Sequence, residues 1–190
     1  MGRDDAEQVH AETADEWRAW LAVNHGRREG VWLVSWRRPA GRPAMTYDAA
    51  VTEAIAVGWV DSASRTLDPE RSMLWFAPRS ARSAWSRTNK GRVEMLERAG
   101  RLTPAGRRAV EVAKANGMWS VLDDPEALIV PVDLAAALEA RPGARATWEA
   151  SPPGVRRAAL ASIALVRRPQ TRARRISQIA EDAAAGRAGA

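Results

Sequence analysis

Residues 58–68, GWVDSASRTLD, place an aromatic ring, a carboxylate and a guanidinium at even spacing along one short segment. Residues two apart in a strand share a face, so the spacing predicts that Trp59, Asp61, Ala63 and Arg65 point the same way. Convergent polar groups beside an aromatic ring are typical of a small-molecule site, in which Trp59 stacks while Asp61 and Arg65 orient a polar ligand. A patterned strand in which Asp61 and Arg65 pair with each other, or with neighbouring strands, fits the same residues.

A second polar and aromatic group lies in residues 76–89, FAPRSARSAWSRTN. A helix predicted from about Ala84 to Ala99 has a stripe at helical spacing, which consists of Trp85, Asn89, Val93 and Leu96. A buried amide without hydrogen bonds costs about 1–3 kcal/mol, so Asn89 either faces a ligand or ties down a neighbouring loop. Arg79 and Arg82 precede this helix, where the N-terminal dipole favours a carboxylate or phosphate; a solvated arginine loop is the alternative.

Most signatures of catalysis and of cofactor binding are missing from the sequence. The chain has no cysteine, which excludes disulfides, zinc–thiolate sites and thiol catalysis and fits a reducing cytoplasm. Neither His10 nor His25 is well placed as a general base, and no glycine-rich phosphate loop or metal-ligand spacing is present. We therefore predict no cofactor and no metal. The polar start of the chain is not a secretory signal, and no apolar run approaches the roughly 20 residues of a membrane helix, so no membrane insertion is predicted.

The positive charge of the chain is almost all arginine, with a formal net charge of +6. On the last predicted helix Arg172, Arg174 and Arg175 lie off the apolar stripe, which is typical of a solvated face. Nucleic-acid binding is the alternative, but no helix-turn-helix or aromatic RNA-binding signature accompanies these arginines. The nine tryptophans are more than a small core needs, so some of them are expected to line a cleft.

Caps and turns predict the elements that position these residues. Thr13 begins a helix, Thr46 begins a second that ends at Gly58, and Thr103 with Pro104 begins another. The segment from Gly30 reads as a central strand, and residues 59–66 and 72–77 read as a hairpin. The fold class is therefore α+β: a small, mostly antiparallel sheet with flanking helices, followed by an all-helical C-terminal part. The predicted organisation is a disordered tail (1–12), an α/β N-terminal domain (13–120) and a helical domain (126–186).

Three ordered blocks of the chain resemble one known family. They are GVWLVSWRR…MTYDAAVTEAIAVGWVDS, FAPRSARSAWSRTNKGRVEMLERAGRLTPAGRRAVEVAKANGMW and RRPQTRARRISQIAE. Over about residues 13–186 the chain resembles the YdeI/OmpD-associated, or bacteriocin-protection, family. The resemblance implies a cytosolic bacterial protein with an α/β N-terminal region and a helical C-terminal region, associated with tolerance to antimicrobial peptides and stress.

The resemblance also implies a set of site residues. Its pattern falls on Tyr47, Gly58, Trp59, Asp61, Phe76, Pro78, Arg79, Trp85, Ser86 and Asn89. The chain departs from the pattern directly after Asp61, because family members often have glycine where Ser62 stands. The resemblance implies no established reaction.

Three functions follow, in order of preference. The first is a non-enzymatic, cytoplasmic protection protein that binds a small, anionic or aromatic molecule or a peptide in a Trp/Arg-lined cleft. That cleft comprises Tyr47, Trp59, Asp61, Arg65, Phe76, Arg79, Trp85, Ser86 and Asn89. The second is an enzyme with Asp61 as acid or base, assisted by Tyr47 or Ser86, or with Glu53 and Asp61 as paired carboxylates. The third is an arginine-rich module that binds nucleic acid or a protein.

Overall fold

A computed structural model describes residues 5–37 and 45–187 of the chain. It divides into two compact units. The N-terminal unit comprises Met1–Ser83 and Thr88–Asn116, and the C-terminal unit comprises Ala84–Arg87 and Gly117–Ala190. The main division between the units therefore falls a few residues before the predicted domain boundary, and a four-residue segment that precedes it in sequence belongs to the C-terminal unit.

The N-terminal unit is built on an open sheet. In the described residues the sheet has four strands in the order β1-β2-β4-β3, in which only β1 and β2 are parallel. The predicted α+β class and the interior position of the second strand are both confirmed. The elements are β1 (Gln8–His10), α1 (Ala14–Asn24), β2 (Val31–Trp36), α2 (Tyr47–Ala56), β3 (Trp59–Thr66), β4 (Arg71–Pro78), α3 (Arg87–Arg98) and α4 (Pro104–Ala115).

Predicted caps and turns fix where α2, α4 and the hairpin begin and end. The Thr46 hydroxyl accepts from the Ala49 N–H, and Gly58 has a φ of 82°, which favours glycine. The Thr103 hydroxyl accepts from the Gly106 N–H. Between β3 and β4 the Asp68 carboxylate accepts from the N–H groups of Glu70 and Arg71, so this side chain closes the hairpin turn. The sequence therefore predicted these boundaries correctly.

One face of the sheet packs against α1 and α2. Trp17 and Leu21 of α1 are fully buried, and the Trp17 ring lies 5.3 Å from that of Phe76 in β4. The Trp17 indole N–H also donates to the Ala50 carbonyl of α2. The opposite face carries a separate buried cluster of Trp32, Val34, Met73 and Trp75. Most of the tryptophans of this unit are thus core residues.

The predicted disordered tail is wrong for residues 8–12. Gln8–His10 forms β1, which pairs in parallel with β2 from Trp32 to Val34. Val9 is 8% exposed and Ala11 is 2% exposed, so this segment contributes to the core. The polar sequence gave no sign of this strand. A strand of three residues needs few apolar side chains when its backbone pairs with β2.

The C-terminal unit is helical in the described residues. Its core contains Leu134, Leu138, Trp148, Leu160, Ile163 and Ile176. The last helix begins at Pro169. The helices are α5 (Asp123–Glu126), α6 (Val132–Glu139), α7 (Ala144–Ala150), α8 (Pro153–Ala164) and α9 (Pro169–Ala184). Across residues 5–37 and 45–187, no helix has the length and apolar character required to cross a bilayer.

Candidate functional site

A tyrosine and a carboxylate meet beside the sheet of the N-terminal unit. Tyr47 is the first residue of α2, and its hydroxyl donates to Asp61 Oδ2 of β3 at 2.8 Å. Partial burial raises the pKa of the Tyr47 phenol, and the hydrogen bond and charge of Asp61 raise it further. The sequence named both residues, and the structure brings them together. Because Tyr47 is 56% exposed, the pair is open to solvent.

Arg79 is the third member of this polar group. It follows β4 directly, and its backbone N–H donates to the Gly58 carbonyl at 3.0 Å. Burial of the guanidinium lowers the Arg79 pKa to about 10, while the nearby Asp61 charge acts in the opposite direction. Arg79 therefore stays charged at neutral pH, and the structure places this charge close to Asp61.

A second charged group adjoins Tyr47. Arg92 of α3 donates to Asp48 Oδ1 through Nε at 3.0 Å and through Nη2 at 2.6 Å. Its Nη1 donates to the amide oxygen of Asn89 at 2.6 Å. The charge of Arg92 lowers the Tyr47 pKa and that of Asp48 raises it, so both lie within electrostatic range of the phenol. Arg92 and Asp48 lie 44 residues apart, and neither was predicted from the sequence as a site residue.

A pocket of about 270 Å³ opens between the start of α2 and the sheet, with Tyr47 on its rim. Five residues that carry a hydroxyl group line it, namely Ser35, Thr46, Tyr47, Ser64 and Ser72. The other described residues of the lining are Leu33, Trp36, Met45, Ala50, Met73 and Leu74. None of these eleven side chains is charged. Apolar walls with a few hydrogen-bonding groups are typical of a small-molecule site. Thr46 was predicted as a helix cap, but sequence spacing gave no sign that the serines converge.

The predicted common face of β3 is wrong beyond Asp61. Asp61 pairs with Phe76 and Ala63 with Trp75, so Ser62 is an extra residue at a β-bulge. A bulge reverses the alternation of side chains, and Ala63 and Arg65 therefore point to the opposite face from Trp59 and Asp61. The Arg65 guanidinium lies 4.3 Å from the centre of the Trp32 ring on that face. Arg65 consequently belongs to the cluster around Trp32 and Trp75.

Trp59 and Phe76 are core residues of the N-terminal unit. Their exposures are 1% and 0%. The Trp59 indole N–H donates to the His25 carbonyl, and its ring lies 6.0 Å from that of Trp20 in an edge-on arrangement. An indole so enclosed has no face available to a ligand, so the site proposed below uses neither ring.

Trp85 and Ser86 belong to the C-terminal unit. Trp85 is 1% exposed, and its ring lies 5.3 Å from that of Trp119. The backbone N–H of Trp85 donates to the Met118 carbonyl. Because α3 begins at Arg87, Trp85 precedes the helix, and the predicted stripe that joined it to Asn89 is wrong. Asn89 is half-buried, and Val93 and Leu96 are the buried residues of α3.

Glu53 is the other carboxylate that the sequence analysis considered for chemistry. It is 5% exposed on α2 and accepts two hydrogen bonds from Arg18, at 2.8 and 3.0 Å, and two from Arg101, at 2.6 and 2.7 Å. Burial by itself would raise the Glu53 pKa, but the two arginines outweigh it and hold the pKa below its usual value. This carboxylate ties α2 to α1 and to the residues after α3. We call it the Glu53 clamp.

No cluster of three or more His, Asp or Glu side chains suited to a metal ion occurs in residues 5–37 and 45–187. The groups at the pocket that can form hydrogen bonds are the hydroxyls of its lining, and Tyr47 adds an aromatic ring. Together they can bind a small molecule through hydrogen bonds and ring contacts.

Comparison with protein families gives two matches along the chain. The model of a family described as "Domain of unknown function (DUF8412)" matches residues 9–109, more than half of the chain. The chain therefore belongs to this family, whose matched region contains α1, the sheet, α2, α3 and the pocket. The model described as "Bacteriocin-protection, YdeI or OmpD-Associated" matches residues 127–186.

The second match confirms the resemblance to the YdeI/OmpD-associated family and limits its extent. The resemblance was predicted over nearly the whole chain, whereas the matched segment covers α6 to α9. Comparison with curated proteins and comparison with solved structures each gave no match.

Proposed function

We propose that this protein is a non-enzymatic protection protein whose N-terminal unit binds a small aromatic molecule in the pocket beside Tyr47. The single observation that carries the proposal is the convergence of five hydroxyl groups on an apolar floor of about 270 Å³. A cavity just below the usual size range of ligand sites suits a molecule of one or two rings. Tyr47, on the rim of the pocket, supplies a ring contact.

The lining favours an uncharged ligand over an anionic one. Burying a charged group without a partner is costly, and among the described residues the pocket lining offers hydroxyls but no cation. Arg79 and Arg92 are the cations of the polar groups described above, and each already has an acidic neighbour, Asp61 or Asp48. The proposal therefore narrows the predicted anionic or aromatic ligand to an aromatic molecule that carries hydroxyl or carbonyl groups.

Protection would follow from sequestration. A protein that holds a toxic aromatic compound lowers its free concentration without altering it, so no catalytic group is required. The bacteriocin-protection description of the family matched by residues 127–186 agrees with such a role for the chain.

The chain's single tyrosine provides a direct test. Tyrosine labelled with ¹³C at the ring carbon that bears the hydroxyl gives one resonance, that of Tyr47. We expect phenol to shift this resonance saturably with a Kd of about 1 mM, since a ligand of so few heavy atoms cannot bind much more tightly. Benzoate, which is anionic, is expected to bind at least about fivefold more weakly.

Ser64→Leu supplies the blocking variant, because Ser64 is exposed on β3 and faces the pocket. We expect it to abolish the phenol-induced shift. Ser62→Leu changes the same residue type on the same strand, outside the pocket lining, and is the matched control. A phenol shift that does not saturate, or that is equal in both variants, would refute the proposal.

An enzyme that uses Asp61 is the second candidate. The observation that favours it is the 2.8 Å hydrogen bond from Tyr47, a pocket-lining residue, which orients the Asp61 carboxylate. It predicts that long incubation of the protein with a bound aromatic probe yields a product detectable by mass spectrometry, and that Asp61→Asn prevents its formation. Recovery of the probe unchanged from the wild-type protein would argue against the enzyme and support the binding function.

A further inference from the structure

Arginine is concentrated in one stretch of the C-terminal unit. Residues 151–180, which span α8 and most of α9, contain seven arginines and no aspartate or glutamate. They are Arg156, Arg157, Arg167, Arg168, Arg172, Arg174 and Arg175. The side chains of Arg167 and Arg168, between the two helices, are exposed and make no hydrogen bond or ion pair with any described residue. The stretch therefore presents positive charge that the unit does not neutralise.

Two of these arginines hold the end of α8 in place. Arg172 donates to Asp133 Oδ2 at 2.8 Å and to the Ile163 carbonyl at 3.4 Å, so it joins the start of α6 to the end of α8. Arg175 Nη1 donates to the Ser162 carbonyl. The N-terminus of α9 has no side-chain cap, and the positive end of its dipole adds to the charge of Arg167 and Arg168.

Large apolar side chains are exposed at the same end of the unit. Val132 is 86% exposed, Ile129 54% and Leu165 46%. Ile129 lines a cavity of about 170 Å³ together with Ala164 and Arg172. Val132 precedes Asp133, the partner of Arg172, and Leu165 follows Ala164. We call this surface the basic–apolar corner, formed by Ile129, Val132, Leu165, Arg167, Arg168, Arg172 and Arg175.

The carboxylates that face this corner do not cancel its charge. Asp133 is paired with Arg172, and Asp124 lines the same cavity as Ile129. These two carboxylates are outnumbered by four arginines, Arg167, Arg168, Arg172 and Arg175. Positive charge that surrounds exposed aliphatic side chains matches a surface that is anionic outside and apolar beneath.

We infer that the basic–apolar corner docks the protein onto the surface of an anionic lipid bilayer. Arg167 and Arg168 would meet the headgroup phosphates, while Val132, Ile129 and Leu165 enter the interface between headgroups and acyl chains. Residues 151–180 contain no aromatic residue, so the corner lacks the stacking platforms of single-strand nucleic-acid sites. A bilayer uses the exposed aliphatic groups, whereas a phosphate backbone would leave them in water. This docking goes beyond the ligand site proposed for the N-terminal unit.

Sedimentation of the full chain with vesicles tests this inference. We expect binding to vesicles that contain phosphatidylglycerol, little binding to pure phosphatidylcholine, and a bound fraction that falls as salt rises. The charge variant Arg167→Glu with Arg168→Glu should lower partitioning at least about tenfold, since it turns two positive charges at the anionic surface into negative ones. Both positions are exposed, so circular dichroism should show an unchanged fold.

Two further variants separate docking from nonspecific attraction. Arg98→Glu with Arg108→Glu makes the same change in net charge at exposed positions of the N-terminal unit, and we expect it to lower partitioning by less than about threefold. Val132→Ser with Leu165→Ser leaves the charge unaltered and should lower partitioning about fivefold, because apolar groups lose their contact with the bilayer.

Three results would overturn the inference. The first is an absence of binding to anionic vesicles at low salt. The second is an equal loss in the Arg98/Arg108 control, which would indicate attraction to net charge alone. The third is binding to a short DNA duplex that the Arg167/Arg168 variant abolishes while the Val132/Leu165 variant partitions into vesicles like the wild type, which would make the corner a nucleic-acid surface.

Discussion

Glu53 and Asp61, two carboxylates of the N-terminal unit, differ in their partners. Glu53 holds the fold together, whereas Asp61 remains available for binding. Glu53 is 5% exposed and accepts four hydrogen bonds from two arginines. Asp61 is half-buried and accepts from a tyrosine that is itself 56% exposed. The first is paired with two arginines, whereas the second accepts a hydrogen bond from a tyrosine that lines an open pocket. They bind different partners and do not act as the pair that the sequence allowed.

The largest expected effect concerns the Glu53 clamp. Glu53→Gln removes the charge that Arg18 and Arg101 share, and breaking a buried ion pair is costly. Because these arginines are 48% and 39% exposed and can turn to water, we expect a loss of about 2–3 kcal/mol in the free energy of unfolding. Urea denaturation measures it. Glu97→Gln, at an exposed carboxylate 3.8 Å from Arg107, is the control and should change stability by less than about 0.5 kcal/mol. Equal losses would contradict the clamp.

The Glu53 clamp also predicts how stability depends on pH. The folded pKa of Glu53 is below its unfolded value of about 4.3, so its contribution is complete above that value and is lost as pH falls through the folded pKa. The urea midpoint of the wild-type protein should therefore fall more steeply on acidification than that of Glu53→Gln, and the two should converge. Parallel curves between about pH 6 and pH 3 would argue against a depressed pKa.

A smaller effect is expected at Asp61. Asp61→Asn removes the charge that helps to raise the Tyr47 pKa, so this pKa should fall towards the usual value of about 10. We expect a change of less than about 1 kcal/mol in unfolding free energy, since the pair is open to water. The single labelled tyrosine resonance, followed against pH, measures the titration. Asp48→Asn should shift it less and Glu53→Gln should leave it unchanged; a titration that moves only in Glu53→Gln would reverse the roles assigned to the two carboxylates.

Local signals in the sequence predicted much of the fold. Hydroxyl caps at Thr46 and Thr103, the glycine at 58 and the Asp-Pro turn before β4 act within a few residues, so their spacing is visible in the chain. The family resemblance included both Tyr47 and Asp61 among its site residues, so it pointed to the two residues that form this contact. The partners of Arg92 and Arg101 could not be predicted, because Asp48 and Glu53 lie 44 and 48 residues away and no periodicity relates them.

The bulge in β3 explains the failure to predict the face of Arg65. Strict alternation assumes one residue for each partner, and Ser62 breaks that count. The glycine that the resemblance implies at this position was the one available signal, since glycine in a strand often marks a bulge. Burial of Trp59 and Trp85 could not be read from composition, because an indole that fills a core and an indole that lines a cleft have the same sequence.

The position of β1 has a practical consequence for anyone who shortens this chain. Gln8–His10 covers the outer edge of β2, and the Glu7 carbonyl accepts from the Trp32 N–H at 2.9 Å. A version that starts at Thr13 would lack β1. The backbone N–H and C=O groups on that edge of β2 would then be exposed. An exposed strand edge can pair with a strand of another molecule, so the shortened protein is expected to self-associate.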